Sequence, residues 1–136
     1  MIVGVKVMCI LSVIPLRADK KDQSEIVSQL LFGEVATVLE RDDQWVKISL
    51  HHDSYEGWVD KKQVTEIEES SFDSISQIKQ RQAEIVLQLK TPWGKTVVFQ
   101  GSPILSMDSS FKIDNMGFEW LNEVPSVSNK SITQIA

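Results

Sequence analysis

Cysteine, histidine and glycine are scarce in this chain, and each shortage removes a class of function. The 136 residues hold a single cysteine, Cys9. One thiol makes no intrachain disulfide, so the fold has to rest on packing. A nucleophilic cysteine needs a nearby histidine and an exposed thiolate. Cys9 lies instead between Met8 and Ile10 in an apolar run, the setting of a small buried hydrophobe. The two histidines, His51 and His52, are adjacent in a polar loop. Neighbours on an extended backbone point apart, which falls short of the ligand set of a metal site even with Asp53 beside them. One such pair also gives no Ser-His-Asp arrangement. The six glycines are scattered, so no phosphate-cradling loop is formed. No cofactor is implied.

Positive charge is in deficit. Fourteen Lys and Arg stand against nineteen Asp and Glu, a net charge of −5. Nucleic-acid binding needs a basic face to neutralise phosphates, and basic residues interleaved with aromatics do not occur here. The acidic balance does not favour an anionic membrane surface either. No stretch reaches the ~18 apolar residues of a membrane span. Residues 1–18 are apolar enough to suggest a signal peptide, but Lys6 interrupts the run, a basic leader is missing and no A-x-A site follows. The residues before Cys9 are not the small-residue box of a lipoprotein. The β-branched richness reads better as strand, and with no disulfide needed, both cytoplasm and periplasm stay open as compartments.

What is present is ordinary globular composition, 42% hydrophobic and 24% charged. The length suits one domain or two small ones, and a half of this size has a thin core that needs mutual support. Short extended segments follow one another from the start: residues 3–10, 12–17, 26–32 and 35–39. Pro15 has no amide proton, which predicts an edge or irregular strand. Residues 18–24 form a polar loop, Gly33-Glu34 a tight turn and Asp42-Asp43 a hairpin turn. Over residues 45–50, Val46, Ile48 and Leu50 alternate with Trp45, Lys47 and Ser49, the period of a half-buried strand. Residues 51–54 are a loop, 56–60 a strand, 61–63 a short turn and 64–67 a last strand. Many short strands at close spacing predict a small barrel or sandwich.

Residues 68–82 change character. Phe72, Ile75 and Ile78 recur every three residues, and Ser70 or Ser71 is placed to cap a short amphipathic helix with a solvated polar face. Strands return at 84–90, 95–100, 104–107, 111–114 and 118–121, with turns at 91–94, 101–103 and 115–117. The two halves can be laid side by side. Residues 30–39 correspond to 97–106, residues 45–48 to 110–113, and residues 55–59 to 117–121, in the same order at similar spacing. That predicts two copies of one small β unit. The resulting division is a first unit over 1–67, a helical connector over 68–83, a divergent second unit over 84–125, and residues 126–136 as a tail or the start of a following domain, with Ser128 or Ser131 as a cap.

Residues 12–64 carry a family likeness. Val13, Pro15 and Arg17 stand for the first strand; Leu30, Gly33 and Glu34 for an L-x-x-G-[DE] element; Trp45, Lys47 and Ile48 for W-x-K-[IV]; and Gly57, Trp58 and Val59 for G-W-[IV]. The combination resembles a bacterial SH3-like domain. The version with S-Q-L-L-F-G-E and Y-E-G-W resembles the region preceding the catalytic domain of NlpC-type cell-wall peptidases, cysteine enzymes that cut murein peptides. That resemblance implies a mainly β protein of two small SH3-like barrels joined by a short helix. The family's catalytic Asp-Cys-Ser-Gly context is absent from this sequence, so hydrolysis is not expected of it.

The resemblance further implies that the first SH3-like domain walls off one end of a peptidase groove and selects murein peptides with a free N-terminal L-alanine. Tyr55 matches the family tyrosine before x-G-W. A free amine wants an acidic partner, for which Glu25 is the first choice and Asp53 the second. The partners expected are therefore an NlpC-type peptidase domain and a murein peptide. The alternative is a free-standing module holding a peptide or cell wall in a Trp45/Trp58 groove. Packing on the barrel is the plainer role for both tryptophans and for Tyr55.

Overall fold

A computed structural model describes residues 2–127. It is mainly β: two antiparallel sheets and one short helix. The strands of the first sheet are β1 (Lys6–Cys9), β2 (Val13–Arg17), β3 (Ile26–Leu31), β4 (Val35–Arg41), β5 (Trp45–Leu50), β6 (Glu56–Asp60) and β7 (Val64–Ile67). They lie in the order β3-β2-β6-β5-β4-β1-β7. Helix α1 (Glu69–Ser76) leads to the second sheet, β8 (Val86–Thr91), β9 (Gly94–Phe99), β10 (Ser110–Ile113) and β11 (Met116–Leu121), ordered β10-β11-β8-β9.

The alternation in β5 does what its period dictates. Val46, Ile48 and Leu50 are buried, and Trp45, Lys47 and Ser49 face outward. In β6 the inward positions are Gly57 and Val59. A β-carbon on Gly57 would stand 2.7 Å from the Arg17 carbonyl oxygen and 2.7 Å from Leu16 Cγ, so only glycine lets β6 lie this close to β2.

The two sheets share part of their strand order. The run β5-β6-β2-β3 in the first sheet has the same order and antiparallel sense as β10-β11-β8-β9 in the second. The two sheets also share a core. Met8 and Ile67 from the first sheet, and Phe32 from the turn after β3, pack in one cluster with Leu89, Phe118 and Trp120 from the second. Phe32 meets Phe118 edge-on at 6.0 Å between ring centres. The thin cores expected of such short units are relieved by this joint cluster.

Four expectations are corrected. The segment bearing Pro15 is not at a sheet edge, since β2 lies between β3 and β6, but it is irregular as expected, its register with β3 shifting between Leu16 and Arg17. The missing amide is tolerated because the Pro15–Gln29 pair is not a hydrogen-bonded one, and β6, on the other side, pairs with β2 at Arg17, opposite Trp58. Residues 104–107 form no strand. Pro103 bridges to Arg81, and the Ile104 amide donates to the Gln80 carbonyl, so this segment pairs with the connector. The helix ends at Ser76 rather than near residue 82. Gln82 beyond it is buried, its side-chain amide donating to the carbonyls of Val98 and Glu84. Neither Ser70 nor Ser71 caps it: Glu68 is the N-cap, and Asp114 in the β10–β11 turn accepts the Glu68 amide at 3.1 Å and the Ser71 hydroxyl at 2.5 Å. The expected caps Ser128 and Ser131 lie outside the described residues.

Candidate functional site

The end of β2, the start of β3, the end of β5 and the start of β6 gather at one end of the first sheet. The loop of residues 51–55 crosses this end. Asp53 organises it: its Oδ1 accepts the Tyr55 backbone N–H at 3.0 Å, and its Oδ2 accepts the Ser28 hydroxyl from β3 at 3.3 Å. Ser54 takes φ 62°, which turns the chain so that Tyr55 projects outward with its side chain 56% exposed. Glu25 is exposed immediately before β3, and its carbonyl accepts the Ala18 amide at 2.7 Å, closing the loop of residues 18–25. Tyr55, Asp53 and Glu25 are thus carried by two loops at the same end of the sheet, with Ser28 as an unanticipated fourth polar group bonded to Asp53.

A second cluster lies around the corner, where the connector passes the first sheet. Arg81 stands 3.6 Å from Glu34, 3.5 Å from the Gly101 carbonyl and 3.4 Å from His52 Nδ1. Glu34 is fixed from its other side, its Oε1 accepting the Leu31 amide at 2.7 Å. Two cavities meet at these residues. One, of about 330 Å³, runs between the loop holding His51 and His52 and the end of α1, past Ile78 and Lys79. The other, of about 310 Å³, is lined by Ser28, Asp53, Glu34, His52 and Arg81. Tyr55 lines neither. Arg81 lies 29 positions from His52 and 20 from Gly101, and no local motif signals their meeting.

Trp45 and Trp58 sit half-buried on the outward face of β5 and β6, diagonal to one another, with Lys47 paired to Trp58 and Asp60 to Trp45. Lys20 lies over the Trp58 ring at 5.4 Å and is tied to Asp42 at 2.9 Å. Hydrogen bonding to Asp42 raises the Lys20 ammonium above its ordinary range, and the same bond lowers the Asp42 carboxyl. The loop of residues 18–25 therefore covers part of the Trp58 face that a peptide groove would use.

Cys9 is a core residue. Burial pushes its thiol up to about 12, against a small lowering by the Leu11 carbonyl that it donates to at 3.3 Å. His51 packs its ring edge-on against Phe72 of α1 at 5.6 Å. Among the described residues no group of three His, Cys, Asp or Glu stands together as a metal cage. No helix among them is long and apolar enough to cross a membrane.

Comparison with known proteins agrees with this architecture. Residues 16–64 match the family described as the bacterial dipeptidyl-peptidase SH3 domain. The chain also superposes on the crystal structure of an NlpC/P60 family protein from Bacillus cereus, with a TM-score of 0.62 at 16% identity. That match covers 90% of this chain and 57% of the other, so the chain spans little more than half of that protein's length. No curated protein matches the sequence. Residues 16–64, from the end of β2 to the start of β7, are thus similar to the SH3 domain of bacterial dipeptidyl-peptidases, and the likeness to the NlpC/P60 protein is one of fold.

Proposed function

We propose that this chain is the non-catalytic SH3-like region of a murein-peptide hydrolase. It positions an NlpC-type peptidase domain, in the same polypeptide or as a partner, and selects peptides with a free N-terminal L-alanine. Three findings support the reading: the SH3 family match over residues 16–64, the fold likeness to a longer NlpC/P60 protein, and the polar end of the first sheet. The observation that carries it is the Asp53–Tyr55 loop. It offers a fixed carboxylate and, two residues on, an exposed tyrosine, with the Glu25 loop at the same end of the sheet.

The chemistry asked of these groups is modest. A peptide ammonium donates up to three hydrogen bonds, and a carboxylate and a phenol oxygen accept them. Bonds to charged groups are worth about 1.5–3 kcal/mol each, enough to separate a free amine from an acylated one by tenfold or more. Covering the end of the groove sterically would exclude longer peptides. The proposal is tested by titrating the protein with a murein peptide and with its N-acetylated form. The free amine should bind at least about tenfold more tightly; equal binding would remove Tyr55, Asp53 and Glu25 from the role.

A further inference from the structure

We propose that the cleft between the first sheet and the connector is a carboxylate clamp, in which Arg81 and Lys79 hold the acidic group of the same peptide whose amine sits near Asp53 and Tyr55. The inference rests on the reading above, extends it to a second point of contact, and names the ligand class as a short peptide bearing both a free amine and a free carboxylate.

The charge balance of the cleft points to an anion. The protein carries a net charge of −5, yet the cavity of about 330 Å³ is lined by Lys79 and Arg81 against a single carboxylate, Glu34. Glu34 is already engaged by the Leu31 amide at 2.7 Å. Lys79 is exposed, while Arg81 is partly buried, where a charge interacts more strongly than on an open face.

Arg81 is also under-used. A guanidinium has five N–H donors in a planar fork suited to a carboxylate. The three contacts of Arg81, to Gly101, His52 and Glu34, lie at 3.4–3.6 Å, at or beyond the outer limit of a good hydrogen bond. Its side chain is 31% exposed and borders both cavities. The pairing of Arg81 with Pro103 fixes the backbone of the connector there, so the fork is delivered from a held segment.

The second cavity supplies the link between the two ends. Asp53 and Arg81 line the same space of about 310 Å³, together with Ser28, Glu34 and His52. An extended peptide entering with its amine toward Asp53 would bring an acidic group toward Arg81. Opposite charges at opposite ends fix the direction of binding as well as the ligand.

Calorimetric titration of the protein with alanyl-glutamate, its diamide, its N-acetyl derivative and inorganic phosphate tests the clamp. Alanyl-glutamate should bind about tenfold more tightly than the diamide. Arg81→Gln should erase that preference while keeping the preference for a free amine, and Arg81→Lys should restore part of it. Lys79→Gln, an exposed change, should weaken it in the same direction and serves if Arg81→Gln fails to fold. Equal affinity for acid and diamide, or a preference surviving both Gln variants, overturns the clamp. Loss of the amine preference alone overturns the amine reading and leaves the clamp. Phosphate competing as well as alanyl-glutamate overturns the peptide assignment in favour of a general oxyanion site. No binding of either peptide at millimolar concentration overturns both.

Discussion

The carboxylate of Asp53 accepts the backbone N–H of Tyr55 at 3.0 Å while its other oxygen holds Ser28 of β3. One side chain thus shapes the loop and offers charge at its surface, and substitution separates the two tasks. Asp53→Asn keeps an acceptor for the Tyr55 amide but removes the charge. It should leave the melting temperature nearly unchanged and weaken binding of a free-amine peptide about tenfold. Asp53→Ala removes both and should also lower stability by about 1 kcal/mol. Thermal melts beside titrations distinguish these outcomes; an Asn variant that binds as well as the parent contradicts the role of the charge.

Gly57 is held in place by its neighbours rather than by its own dihedrals. The Leu16 side chain is flexible and can shift, but the Arg17 carbonyl oxygen, 2.7 Å from where a β-carbon would stand, belongs to the backbone of β2. Gly57→Ala should therefore force β2 and β6 apart and cost about 1–3 kcal/mol, measured by urea denaturation. A neutral result would mean that β2 yields freely.

Asp114 ties the second sheet to the start of α1. It sits in the β10–β11 turn at φ 53° and accepts from Glu68 and Ser71 at the start of α1. Asp114→Ala leaves the helix amide and hydroxyl without that partner, a loss of the size of a helix cap, about 1 kcal/mol. Hydrogen exchange should show faster opening of α1 while β5 keeps its protection. Unchanged exchange at α1 would show that the joint cluster alone holds the helix.

Cys9 makes stability depend on alkaline pH. Its folded pKa is raised to about 12 by burial, so the thiolate forms first in the unfolded chain. This contribution is fully present below the unfolded thiol value near 9 and is lost as pH rises toward 12. Over that window the wild type should lose about 1.4 kcal/mol per pH unit more than Cys9→Ala does. Parallel stability curves for the two proteins between about pH 9 and 11 would contradict the burial.

The sequence was legible where local pattern and tertiary place agree. Strands β5, β6 and β7 appear at their expected bounds because alternation in β5, the Gly-Trp step in β6 and β-branched residues in β7 all point one way. It was illegible where a distant partner decides. Ile104 and Leu105 look like strand, but the connector takes up the Ile104 amide and Leu105 packs against Gly33. The helix start is served by an aspartate 43 residues or more downstream, which no serine spacing reveals. The Tyr55 and Asp53 loop could be nominated from the motif around Gly57 and Trp58. The cleft of Arg81, Glu34 and His52 could not, since only the docking of the connector brings these residues together.

The central claim is selection of a free peptide amine by the first SH3-like unit. The direct measurement is kcat/KM for a free-amine murein peptide and its N-acetylated form, in a protein that carries the peptidase domain, with Tyr55→Phe and Asp53→Asn compared to the parent. The account predicts that the parent prefers the free amine and that both variants lose about tenfold of that preference through the free-amine substrate alone. A preference that is the same in all three proteins would contradict it.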